Sequence, residues 1–161
     1  MTIRRATREE LPQILACIIE LAQYEHLEQE VVATLESMDH WLFVEKKAIV
    51  LFCCEDKRPV GFALYFYNYS TWEGRSGLYI EDLFIQRPFR GKGYGKALIE
   101  HVCSLAIEER CARVEWVCLD WNKMSIDFYK RLGAVPMDGW STYRLSGEAL
   151  RSLGNNSKIL Q

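Results

Sequence analysis

The chain has 161 residues, of which 49% are hydrophobic and 26% charged, with a formal net charge of −2 and a pI near 6.0. That length suits a single domain over residues 1–161 around one core, and the composition excludes a disordered chain. The charge balance excludes a duplex nucleic-acid binder, which needs a strong positive field, and mildly suits a cationic ligand. No apolar run reaches membrane-spanning length, and Met1–Arg5 leads into a strand-like pattern rather than a signal peptide. A cytoplasmic protein is therefore expected. Cys17, Cys53, Cys54, Cys103, Cys111 and Cys118 form no C-x-x-C pair, and His26, His40 and His101 lack ligand spacing. No metal is expected, and the thiols read as buried and reduced.

In chain order, Ile3–Ala6 reads as a first strand. Thr7 and Glu10 form a capping box for a helix whose apolar face is Leu11, Ile14, Leu15, Ile18, Leu21 and Ala22. Pro12 is tolerated near its start. Thr34–Trp41 reads as a shorter helix. Ala48–Cys54 and Val60–Tyr67 read as strands joined by a hairpin turn at Glu55–Arg58, with Cys53 and Cys54 on opposite faces. Tyr69–Gly74 is a loop. Leu78–Ile85 is the most apolar strand and is placed centrally. A helix over Gly93–Arg110 carries Leu98, Val102, Leu105 and Ala106 on one face. Val114–Leu119 is a strand. Lys123–Leu132 is a helix with Asn122 as its cap and Gly133 just past its end. Trp140–Leu145 reads as a last strand before a short tail. Hairpins early and strand–helix alternation late predict an α+β fold: a mixed, mostly antiparallel sheet with helices on both faces.

The strongest local signal is Arg90-Gly91-Lys92-Gly93-Tyr94-Gly95-Lys96, placed between the apolar strand and a helix start. Helix starts leave N–H groups unpaired and carry partial positive charge. Glycines let a phosphate approach that backbone, and Arg90 and Lys96 add charge. A P-loop would need glycine at Arg90 and Ser or Thr at Ala97, and a dinucleotide fingerprint would need glycine at Lys96. The R-x-x-G-x-G spacing of Arg90, Gly93 and Gly95 resembles the pyrophosphate loop of the GNAT acetyltransferases, which holds coenzyme A. A second segment, Asn122 to Gly133, is similar to that superfamily's N-x-x-[SA]-x-x-[FL]-Y-x-x-x-G pattern. Helical spacing sets Asn122, Ser125 and Tyr129 on one face. Phe128 and Tyr129 by themselves read as core aromatics, and the glycine loop upstream overrides that reading.

The resemblance extends to the diamine and polyamine N-acetyltransferases through Ile18–Glu25, Phe66-Tyr67, Leu78–Ile85 and the glycine loop. The loop Tyr69–Arg75 and Leu119–Asn122 are similar to the thialysine-acetylating branch. The spermidine enzymes carry an acidic residue near the position of Ser70, so a lysine-like ω-amine is expected over spermidine. The resemblance implies an acetyl-CoA-dependent enzyme acting on a small cationic amine, working as a homodimer. It assigns Tyr24, Glu25 and Glu81 to the amine, and the backbone of Leu83, Phe84 and Ile85 to the acetyl-cysteamine arm. It assigns Gly91, Lys92, Gly93, Tyr94, Gly95 and Lys96 to the pyrophosphate. Asn122 and Ser125–Tyr129 complete the cofactor site, with Tyr129 as general acid. Glu81 is either the base, through water, or a cation anchor. Regular strand alternation turns Asp82 away from Glu81 and makes it a salt-bridge residue. Two other readings share the cofactor loop: a peptide or protein-lysine acetyltransferase, and a non-catalytic acyl-CoA-binding module.

Overall fold

The computed structural model describes residues 1–155 and divides the chain into two compact units, Met1–Val117 and Cys118–Gln161. The first unit is a five-stranded sheet in the order β1 (Thr2–Arg5), β2 (Ile49–Glu55), β3 (Arg58–Ser70), β4 (Arg75–Ile85) and β5 (Val114–Trp116). Neighbours are antiparallel except β4 and β5, which run parallel. The mixed sheet agrees with the expectation from the sequence. Asp56 and Lys57, both with positive φ, make the tight turn between β2 and β3, the backbone that a two-residue hairpin loop favours.

Helix α1 (Leu11–Glu25) covers one sheet face and α3 (Tyr94–Glu108) the other. Leu11, Ile14 and Cys17 of α1 pack with Val50, Phe52, Cys54, Phe62 and Phe84. Tyr94, Leu98, Val102 and Ala106 of α3 pack with Leu51, Cys53, Val60, Ala63, Tyr65, Leu78 and Ile80. The split of Cys53 and Cys54 between these layers follows the strand's period of two. Before α1, Arg8–Glu10 form a 3-10 turn, and the Glu10 carboxylate accepts from the Thr7 N–H at 2.9 Å. The expected Thr34–Trp41 helix is α2 (Leu35–Met38), which widens into a π-helical stretch over Asp39–Val44.

In the second unit, α4 (Lys123–Arg131) starts at Asn122, whose side-chain oxygen accepts from the Ser125 N–H at 3.3 Å. Gly133 has φ 88° and its N–H donates to Lys130, while the Ala134 N–H reaches Tyr129. These two bonds make the left-handed stop that glycine permits. Trp140–Leu145 is not a strand: it joins no ladder among the described residues, and Tyr143 and Leu145 are exposed. β-rich composition alone does not form a strand, because strand stability comes from cross-strand neighbours. The expected tail instead contains α5 (Gly147–Asn155). No described helix is long and apolar enough to cross a membrane.

Gly61 pairs with Ile85 at the end of β4. A Cβ there would stand 2.6 Å from the Phe84 carbonyl oxygen and would collide with Ile85 Cδ1. Gly61→Ala should therefore destabilise the protein by about 1–3 kcal/mol through overpacking. Urea unfolding tests this, and unchanged stability would show that β4 moves aside freely.

Candidate active site

The β3–β4 ladder breaks its register between Leu64, which faces Asp82, and Tyr65, which faces Ile80. Glu81 is the extra residue of a β-bulge. A bulge shifts side-chain parity by one. Ile80 and Leu83 accordingly both pack on the α3 layer, while Phe84 packs on the α1 layer. The parity places Glu81 and Asp82 together on the α1 face. That corrects the expectation of alternation, which assumed an unbroken strand. Asp82 forms no ion pair among the described residues either. Its carboxyl is pushed up to about 6, first by burial and then by the negative charges of Glu81 and Glu25. Burial also raises Glu25, at the end of α1. The structure thus gathers Glu25, Glu81 and Asp82, of which Glu81 is exposed. Sequence reasoning missed Asp82 as a member of this cluster, because nothing in Ile80-Glu81-Asp82-Leu83 announces a bulge.

Strand β5 pairs with β4 only through Leu78, Tyr79 and Ile80. Beyond the bulge, no described residue pairs with Leu83, Phe84 and Ile85 on that edge. No described strand covers that edge, as is usual of an edge strand, and the Ile85 carbonyl accepts from Arg90 Nε at 2.9 Å.

The glycine turn follows. Gly91 has φ 76° and Gly93 φ 88°, and a Cβ on either would meet nothing within 4 Å. The Ala97 N–H donates to Gly93 O at 3.0 Å. The N–H groups of Tyr94, Gly95 and Lys96 precede that bond and have no helical acceptor, the usual state of a helix start. Open space above unpaired N–H groups fits a bound phosphate. The basic side chains, by contrast, are engaged within the chain. Arg90 Nε donates to Ile85 O at 2.9 Å, and its guanidinium lies 4.4 Å from the Tyr24 ring centroid and 5.4 Å from that of Phe84. Lys96 Nζ pairs with Glu100 at 2.5 Å, one helical turn along. Arg90 thus joins Tyr24 to the strand and turn.

In the second unit, Asn122, Ser125, Ile126 and Tyr129 lie on the less exposed side of α4, and Lys123, Met124, Asp127 and Lys130 on the exposed side. The Phe128 and Tyr129 rings are 5.3 Å apart. No group of His, Cys, Asp or Glu among the described residues is arranged to hold a metal ion.

The bulged strand thus leads through glycines into a helix start. The acetyltransferase (GNAT) family profile matches residues 13–134. Thialysine N-epsilon-acetyltransferase of Bos taurus is 36% identical over 94% of this chain and 95% of its own. L-ornithine N5-acetyltransferase of Arabidopsis thaliana is 42% identical over 58% of this chain and 41% of its own. Among solved structures, an integron cassette protein from the mobile metagenome of V. cholerae superposes with a TM-score of 0.80 at 26% identity, covering 95% of this chain and 96% of its own. The chain belongs to the GNAT acetyltransferase family, and it is an acetyltransferase.

Asp82 also sets a pH dependence. The native state keeps its proton up to about pH 6, whereas an unfolded Asp releases it near pH 3.9. Between those values the unfolded state binds fewer protons, so this group's contribution to stability falls as pH rises. Asp82→Asn should then be more stable than the parent at pH 7.5, by on the order of 2–3 kcal/mol, and no more stable at pH 4. Denaturant unfolding at the two pH values measures this, and an equal gain at both would remove the carboxyl's titration as the cause.

Proposed function

We propose that the protein transfers acetyl from acetyl-CoA to the ω-amine of a small cationic, lysine-like molecule, such as thialysine or ornithine. The observation that carries this reading is the cluster of Glu25, Glu81 and Asp82 beside the open edge of β4. Three carboxylates held in a partly desolvated place attract a cation more strongly than they would in water. The names of the thialysine and ornithine relatives support the same substrate class.

The amine arrives protonated and must lose a proton before it attacks. Glu81 takes that proton through water, being exposed and acidic at the bulge. Tyr24, Glu25 and Asp82 hold the remaining positive charge. The backbone of Leu83, Phe84 and Ile85 binds the acetyl-cysteamine arm, and an N–H near Leu83 polarises the thioester carbonyl. The amine nitrogen bonds to the carbonyl carbon, the carbon–sulfur bond breaks, and the Tyr129 hydroxyl gives its proton to the leaving sulfur, while the nitrogen, now an amide, releases its surplus proton to water, from which the Tyr129 phenolate is reprotonated. The turn from Arg90 to Lys96 holds the pyrophosphate, chiefly through backbone, and Asn122 and Ser125 complete the cofactor site. Most of the rate gain comes from holding the amine and thioester together. No thiol is needed, so transfer is direct.

The two units work as one acetyltransferase domain, a reading supported by a family match that runs from residue 13 to 134, across their boundary. The protein acts in the cytoplasm as a homodimer. Exposed Tyr143 and Leu145 supply apolar surface for a second copy of the chain.

A turnover assay over an amine panel tests the substrate. Thialysine, ornithine and lysine should outperform spermidine, and all should outperform peptides. Activity on peptides alone would overturn the small-amine reading.

Tyr129→Phe tests the acid. It should fold and bind acetyl-CoA normally, with turnover lowered by about 10²–10³-fold. The drop sits at the low end because a thiolate, with a thiol pKa near about 8.5, is a tolerable leaving group. Unchanged turnover, with chemistry rate-limiting, would strike Tyr129 from the mechanism.

A further inference from the structure

We propose that Glu55 is a positioning residue for the glycine turn, acting through the phenol of Tyr94. The inference rests on the reading of that turn as the coenzyme A pyrophosphate site.

Glu55 closes β2, immediately before the Asp56–Lys57 hairpin turn. A tight two-residue turn fixes the strand ends, so the carboxylate is offered at a set place. Tyr94 is the first residue of α3 and is almost wholly buried. Its ring packs edge-on against Phe89, with centroids 6.4 Å apart. Its hydroxyl donates to Glu55 Oε1. Lys92 converges on the same oxygen, with Nζ 3.9 Å away, and lies 5.0 Å over the Phe89 ring. A single carboxylate oxygen thus gathers the residues on both sides of Gly93.

Gly91 and Gly93 have no side chains to pack, and the space where a Cβ would stand holds no atom within 4 Å. A cradle left free would lose conformational entropy when a ligand ordered it, weakening binding. Tying down the first residue of α3 aims its N–H groups before the ligand arrives. A carboxylate close to a pyrophosphate site is otherwise a handicap, because like charges repel. The Lys92 ammonium offsets that repulsion. The bond to Glu55 pushes the Tyr94 phenol up to about 12, so it remains a donor across the working pH range.

A double-mutant cycle on coenzyme A affinity, read by isothermal titration, separates the anchor from the charge. Glu55→Ala removes both. In the Tyr94→Phe background the phenol is already gone, so only the charge effect remains. Glu55→Ala should therefore weaken coenzyme A binding at least threefold more in the parent than in the Tyr94→Phe background. With acetyl-CoA saturating, the kcat of Glu55→Ala and its KM for the amine should stay at parental values. Glu55→Gln should recover part of the lost affinity, because it keeps an acceptor. If Glu55→Ala does not fold, Glu55→Met takes its place in the cycle. A ratio under threefold, or a change confined to kcat, overturns the inference while the cofactor reading stands. A parent that binds no coenzyme A overturns both.

Discussion

The extra residue in β4 governs the chemistry of the first unit. In an unbroken ladder, Asp82 would share a face with Leu78 and Ile80, and Leu83 would turn to the other. With the extra residue, Leu78 and Ile80 and then Leu83 and Ile85 all face α3, although their spacing changes from two to three. The two acids between them turn toward α1. The bulge comes where β5 stops pairing, so the strand that bears the acids also bears the open edge. A regular ladder would have hidden that edge or turned the acids apart. The local distortion thereby brings charge and free backbone together on one strand.

The acids differ through their surroundings rather than their chemical type. Glu81 stands exposed at the bulge, whereas Asp82 loses much of its hydration and lies near two other carboxylates. Desolvation and like charge both favour the protonated form of Asp82. A cation entering the cluster relieves both effects, since it supplies the positive charge that no described residue gives Asp82. Instability of this kind in the empty protein is the counterpart of affinity for a charged ligand.

Local signals made much of the fold legible in the sequence. The capping pair Thr7 and Glu10, the apolar stripe from Leu98 to Ala106, the Asn122 cap and the Gly133 stop each act within a few residues. The glycine turn was legible for the same reason, since Gly91 and Gly93 adopt the left-handed backbone that it needs. Two features depend on distant chain and were not legible. The bulge is set by Leu64 and Tyr65 on the neighbouring strand, which sequence periodicity does not encode. Trp140–Leu145 has β-type composition, but a strand also needs a partner, and the described residues offer none. The charged side chains of the turn form a third case. Arg90 and Lys96 looked like phosphate ligands by position. Arg90's partners Tyr24 and Phe84 lie on α1 and β4, beyond the reach of a motif.

That placement of the basic residues changes how anion recognition works at this turn. Lysines reaching freely into solvent would bind a diphosphate by charge alone, with an affinity strongly weakened by salt. Here Arg90 is fixed to the Ile85 carbonyl and two rings, and Lys96 is paired along its own helix. The N–H groups at the start of α3 are the donors with no partner in their own helix. They are directional, belong to a rigid element and carry no net charge. Such donors favour the shape of a diphosphate over any passing anion, and they leave the neighbouring acidic cluster unneutralised. On the proposed reading, a chain with net charge −2 would hold an anionic co-substrate and a cationic amine close together. The amine would meet the carboxylates and the phosphates would meet backbone, without either charge cancelling the other's binding site.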